Sequence, residues 1–219
     1  MPLSALLLRL VRSQDPVADA HEVAVAGVLD ELEPERTGQE RPAGPERHRR
    51  ELHPQLVEQP GIRELAREVA SADQPFCLIV SLVNPHDVLL YPKTYVSGGY
   101  DDTWLENDIK LPETVDEDLS SKPDAQQNFK NIFALTGPLN TRQKKLDYIN
   151  FYANLMVQAD DYLVEVLDAL DTIGVTEDTV VIRTSDHGEM GLAHSGLRQK
   201  NFNAYEETLR IPLVYSSPE

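Results

Sequence analysis

The chain alternates between short unbroken apolar runs and long segments with a helical rhythm. Phe76 to Val83 is almost continuously apolar, the pattern of a strand buried on both faces. From Arg142 to Ile173, Ile149, Tyr152, Met156, Ala159, Leu163, Val166, Leu170 and Ile173 recur at helical spacing and predict one long amphipathic helix. Gly174 follows at once and should end it. Two further runs, Thr179 to Asp186 and Ile211 to Tyr215, predict two more buried strands. A shorter helix is expected around Ile62, Leu65, Ala66 and Val69, closing by Ser71 to Pro75. Residues 88–143 are rich in Pro, Gly, Asp, Asn and Ser, so they read as a long surface excursion carrying a short helix at Asp124 to Leu135. Helix and strand alternate, which indicates an α/β layered sheet flanked by helices.

Composition changes this picture at one end. Residues 1–75 hold no Phe, Tyr, Trp, Lys or Asn, and nine of the 13 arginines lie at or before Arg67. A stretch such as ERTGQERPAGPERHRRELHPQLVEQPG buries too little apolar surface to offset its ordering entropy. Phe, Tyr, Ile, Asn and Lys share AT-rich codons, so their joint scarcity also suits GC-rich DNA read in a foreign frame. The expected organisation is therefore residues 1–60 as a disordered or non-native segment and residues 61–219 as the folded domain. No role is expected for His21, His48 or His53.

The formal charge is −17 over 219 residues, which argues against a nucleic-acid partner bound by a basic surface. One cysteine excludes an internal disulfide framework. No apolar run approaches the roughly 20 residues that span a bilayer. The early run SALLLRLV is short and lacks a convincing cleavage site, so no membrane partner and a cytoplasmic location are expected.

The richest chemistry lies in TVVIRTSDHGEMG, Thr179 to Gly191. A β-branched strand ends on Asp186 and His187, and ligands of open α/β sheets sit beyond the carboxyl ends of strands. Carboxylate oxygens beside a neutral imidazole nitrogen can supply part of a divalent-metal site. Gly188 would let the backbone turn sharply or approach another group closely. Taken alone, Asp-His-Gly is equally compatible with a plain turn after a buried strand.

The whole segment SDHGEMGLAHSGLRQKNFNAYEETLRIPLVY, with FCLIVSLVNPHD at Phe76 to Asp87, resembles the sulfatases of the alkaline-phosphatase superfamily, over roughly residues 62–219. The resemblance implies a partial alkaline-phosphatase-like fold. It also implies that Asp186 and His187 hold a divalent metal such as Ca2+, and that Lys200 contacts the sulfate. His86 would bind sulfate and protonate the leaving alcohol. A compact ammonium suits a tetrahedral oxyanion, and an imidazole titrating near neutrality suits proton donation. The implied substrate is a small-molecule or glycan sulfate ester. His194 is expected to be an ordinary loop residue, and Arg210 to anchor the sheet end through salt bridges.

The chain departs from the family pattern in one large respect. The resemblance calls for paired aspartates after an early strand, a Cys-x-Pro-x-Arg motif whose cysteine becomes formylglycine, and a Lys-x-His element; none occurs here. Part of the C-terminal portion is also expected to be absent. Cys77 is followed by Leu78-Ile79-Val80, so it reads as a small core hydrophobe. Three readings stay open at this point. The chain is a fragment of a sulfuric ester hydrolase, inactive alone; or a phosphatase or phosphodiesterase of the same superfamily; or a non-catalytic remnant.

Overall fold

The computed structural model describes residues 77–218 together with two short strands nearer the start, Ser4–Leu10 and Val23–Ala26. The rest of the segment 1–60 and the helix expected at Ile62 to Val69 lie outside the described residues. Five strands form one sheet: β1 (Ser4–Leu10), β2 (Val23–Ala26), β3 (Cys77–Leu82), β4 (Thr179–Ser185) and β5 (Leu213–Ser216). Their order is β2-β3-β1-β4-β5. The run Ser4–Leu10 takes the central place in this order.

Register fixes what this sheet presents at its end. β1 is antiparallel to both β3 and β4, with Ser4 opposite Leu82 on one side and Ser185 on the other. β3 and β4 are therefore parallel to each other, and their carboxyl ends lie level. Two strand spacings separate them, about 10 Å. β5 runs antiparallel to β4, with Leu213 opposite Thr184, so the chain returns at the same end.

Two helices follow the predicted spans closely: α1 (Asp124–Ala134) and α2 (Arg142–Thr172). The Thr141 side chain caps α2 by accepting the Lys144 amide. At the other end Gly174 takes φ +75°, the left-handed conformation that closes a helix at little cost only for glycine. The C-terminal half of α2 lies on the sheet, packing Val166 and Leu170 against Leu78 and Val80. Its N-terminal half is wrapped by the excursion. There Phe151, fully buried, meets Tyr91, Tyr95, Tyr100 and Trp104 in tilted and edge-on contacts with centroids 5.1–6.5 Å apart.

Three expectations about burial are corrected. In β3 only Leu78 and Val80 are fully buried, the rest being half-buried, because among the described residues helix packing covers the side that bears those two. The last strand begins at Leu213 and is exposed along its length, because it is an edge strand with no helix over it in the described residues. The buried stripe of α2 runs through Tyr148, Phe151, Leu155, Ala159, Val166 and Leu170, leaving Met156 exposed. Both neighbouring faces of this helix carry apolar residues at helical spacing. The aromatic side chains of the excursion select the one bearing Tyr148 and Phe151.

Candidate functional site

The level ends of β3 and β4 carry the residues with chemistry. Beyond β3 the chain passes Asn84 and enters a short 3-10 turn at His86–Leu90. Asn84 is buried; its amide donates to the Tyr100 hydroxyl (3.2 Å) and to Gln158 Oε1 of α2 (2.6 Å). Its carbonyl oxygen accepts the Asp87 amide, and the Tyr100 hydroxyl donates to Asp87 Oδ2 at 2.6 Å. Burial first, and then this Asp87 carboxylate, push the Tyr100 hydroxyl well above its ordinary pKa, so it stays a donor. The network pins the turn while leaving His86 half-exposed. The nearest acceptor to its Nδ1, Asp87 Oδ1 at 3.7 Å, is beyond hydrogen-bonding distance.

Asp186 and His187 follow β4 directly. Asp186 is exposed, and its Oδ1 accepts the His187 amide at 2.9 Å. His187 Nδ1 lies 2.6 Å from the Gly188 carbonyl oxygen. A carbonyl can only accept, so Nδ1 bears the proton and Nε2 presents a lone pair. That Nε2 is buried and has no hydrogen-bond partner among the described residues. Its nearest oxygen is Asp186 Oδ2 at 3.7 Å. A buried acceptor without a donor is costly unless something else binds it, and an imidazole whose other nitrogen is fixed on a carbonyl is the arrangement of metal-ligating histidines. The pair therefore fits a divalent cation in part. No group of three or more His, Cys, Asp or Glu suited to a metal occurs among the described residues.

The loop from Gly188 to Lys200 is bent hard and tied down. Gly188 donates its amide to the Thr208 carbonyl at 2.8 Å. It sits so close to the 207–208 backbone that a Cβ there would overlap the Glu207 carbonyl oxygen. Leu192, His194, Ser195, Gln199 and Phe202 all take positive φ, between 49° and 70°. Such left-handed non-glycine residues cost roughly 1–2 kcal/mol each and persist where the surroundings over-determine them. Glu189 supplies much of that constraint. Its carboxylate accepts the Gln199 amide on both oxygens (2.9 Å), the Gly191 amide (3.3 Å) and the hydroxyl of fully buried Tyr148 (2.9 Å). Burial raises the Glu189 pKa, and the amide donors oppose that rise. The next residue, Lys200, is half-buried and has no hydrogen bond or ion pair among the described residues.

The structure thus brings Asp186, His187 and Lys200 onto one braced loop, with His86 at the same sheet end across one intervening strand. His194 proves far from ordinary. Its ring stacks on Tyr205 (3.8 Å, 8°) with Nδ1 2.5 Å from Glu117 Oε2 and Nε2 3.5 Å from Glu207 Oε1. Arg210 is exposed and makes no ion pair among the described residues, so its expected anchoring role is not seen; the sheet end it flanks is held by backbone pairing instead. Cys77 is a free thiol inside β3, with no proline or arginine in the positions a formylglycine motif needs. The residues present do not fit that group. Sequence reading missed Glu189 as the clamp, although it stands directly in the DHGEMG run.

Comparison with known proteins identifies the family. The sequence profile of the family Sulfatase matches residues 45–219. The chain is 34% identical to the uncharacterized sulfatase YidJ of Escherichia coli over 71% of its own length and 29% of that protein. It is 31% identical to an arylsulfatase of Clostridium perfringens, over 66% of this chain and 28% of the relative. It therefore spans less than a third of these curated relatives. Among solved structures it superposes on a 2-O GAG sulfatase with a TM-score of 0.57 and 22% identity, covering 72% of this chain and 35% of that one. A putative sulfatase from Bacteroides thetaiotaomicron gives 0.58 and 21% over the same shares. These likenesses show the alkaline-phosphatase-like fold in part, and with the profile match they establish that the chain belongs to the sulfatase family.

Proposed function

We propose that this chain carries the sulfate-recognising part of a sulfuric ester hydrolase acting on small-molecule or glycan sulfate esters. The observation that carries the reading is His187 Nε2, a buried lone pair with its tautomer fixed by the Gly188 carbonyl, next to Asp186 and on the loop that holds Lys200. Asp186 and His187 would hold a divalent cation such as Ca2+, which when bound acts as a Lewis acid toward a sulfate oxygen. Lys200, without a hydrogen bond or ion pair among the described residues, donates to the remaining sulfate oxygens and offsets their charge. His86, half-exposed and without a ring hydrogen bond among the described residues, sits one strand away and protonates the departing alkoxide. The substrate class follows from the matched proteins, which are named as aryl and GAG sulfatases.

Two ligands from one dipeptide are few for calcium, which takes six or more oxygens, so binding by this chain should be weak. The chain also lacks a Cys-x-Pro-x-Arg nucleophile, so it turns over no sulfate ester unaided. The test is a calcium titration of the full chain followed by thermal denaturation. A ligand that binds only the folded state raises stability by RT ln(1 + [L]/Kd), about 2.7 kcal/mol at one hundred times Kd. A rise at millimolar calcium that disappears in Asp186→Asn and His187→Ala supports the assignment. No rise with calcium, magnesium or manganese in the parent chain overturns it.

A further inference from the structure

A second cluster of charge lies on the far flank of the same loop. On a chain of net charge −17, Lys130 of α1, Lys145 of α2 and Arg198 of the loop line one cavity of about 350 Å³. Arg198 is 6% exposed. One Nη2 donates to the Phe133 and Gly137 carbonyls, and the guanidinium rests against the Phe133 and Tyr148 rings. Its Nε and Nη1 have no hydrogen-bond partner, and no carboxylate lies within ion-pair distance among the described residues. Lys130 donates to the Ser195 hydroxyl at 2.8 Å and likewise has no carboxylate partner there. Lys145 has one, Asp116 at 2.9 Å, whose side chain is itself 80% exposed. Two carboxylates thus stand against the three cations: exposed Asp116, which acts on both lysines, and Glu189, which acts on Arg198 from beyond ion-pair distance. The walls between them are apolar, with Phe129 and Phe133 at a centroid distance of 4.7 Å.

Cations that outnumber their counter-ions in a partly apolar hollow are unfavourable by themselves, and an anion placed among them offsets both burial and mutual repulsion. Burial, and next the charge of Lys145, hold the Lys130 pKa below its ordinary value. From this geometry we infer that the cavity is a second ligand site, for an oxyanion such as a sulfonate, sulfate or carboxylate carried on a flat apolar ring. The Lys130 and Lys145 ammoniums and the free edge of Arg198 take the anion, and Phe129 and Phe133 take the ring. None of the three cations is among the residues assigned above to the metal or the sulfate, and none of Asp186, His187 and Lys200 lines this cavity, so the site stands apart from the proposed catalytic role.

The test uses the full chain with Lys200→Gln, which removes the sulfate-contacting amine proposed above. Binding of benzenesulfonate, inorganic sulfate and benzyl alcohol is compared by isothermal titration. Benzenesulfonate should bind at least tenfold more tightly than either of the others, because only it offers both the charge and the ring. Adding Lys130→Gln should weaken it about tenfold. In a parallel NMR titration of the parent chain, the amides of Gly196 and Phe133 should shift with benzenesulfonate, whatever the fate of the variant. Equal binding of benzyl alcohol or of sulfate, indifference to Lys130→Gln, or unmoved Gly196 and Phe133 amides would each overturn the inference.

Discussion

Replacing Gly188 with alanine tests how tightly the loop bearing Asp186 and His187 is pressed onto the chain behind it. The added methyl group would overlap the Glu207 carbonyl oxygen and lie 3.0 Å from the Glu207 carbonyl carbon. Both are backbone atoms, so no side chain can swing aside. Relief requires the loop to lift, which also stretches the 2.8 Å bond from the Gly188 amide to the Thr208 carbonyl. Overpacking of this kind costs about 1–3 kcal/mol, and a lost hydrogen bond adds about 1 kcal/mol, for an expected loss of about 2–4 kcal/mol. That is a large part of the roughly 5–15 kcal/mol that holds a typical domain together. Gly174→Ala is the control. Gly174 has φ +75° but nothing within 4 Å of an added Cβ, so alanine there meets only the left-handed penalty of about 1–2 kcal/mol. Urea denaturation followed by circular dichroism gives both values. A Gly188→Ala chain as stable as the parent, or no less stable than Gly174→Ala, would refute the close approach.

Phe151→Ala empties the centre of the aromatic cluster around α2 and should cost about 3–5 kcal/mol by urea denaturation. Tyr148→Phe removes the buried hydroxyl that donates to Glu189, so it should cost about 1–3 kcal/mol by the same assay. The Glu117 carboxyl is held below its ordinary value of 4.5, first by the hydrogen bond with His194 and next by that with Lys122. A depressed folded-state pKa means its stabilisation is complete above 4.5 and fades as the pH falls through the lower folded value. Denaturation midpoints measured on acidification should therefore decline less steeply in Glu117→Gln than in the parent, and identical slopes would contradict the pairing.

Element boundaries were legible wherever they depend on local chemistry. The Thr141 cap and Gly174 bracket α2 within a residue of the expected span, because capping and left-handed closure are decided by the residues themselves. The Asp-His pair after β4 was legible for the same reason: a strand, a polar dipeptide and a glycine in direct succession. What stayed hidden depends on distant partners. Whether Met156 or Leu155 faces inward is set by the tyrosines of residues 91–100, and nothing in the helix itself distinguishes them. The apolar residues of β5 look like core until topology places that strand at the sheet edge. His194 was passed over because its partners Glu117 and Glu207 stand 77 residues before it and 13 after it.

The placement of strain ties these observations together. Five non-glycine residues in left-handed geometry crowd into Leu192 to Phe202, between the Asp186-His187 pair and the turn of residues 206–209. A loop free to relax would shed that strain. It is kept because Glu189 gathers the amides of Gly191 and Gln199 and hangs them from Tyr148, a residue with no exposed surface on the longest helix. The same clamp fixes both flanks of the loop at once. On one side it sets Lys200, next in sequence to the clamped Gln199 amide, at a fixed place relative to Asp186 and His187. On the other it turns Ser195 and Arg198 toward α1 and the cavity lined by Lys130 and Lys145. Holding both charged flanks rigid limits the reorganisation needed when an anion arrives, which is how fixed dipoles and charges come to stabilise oxyanions better than water does. The strained backbone is therefore best understood as the support of the face proposed to bind ligands, with Glu189 and Tyr148 as its anchor.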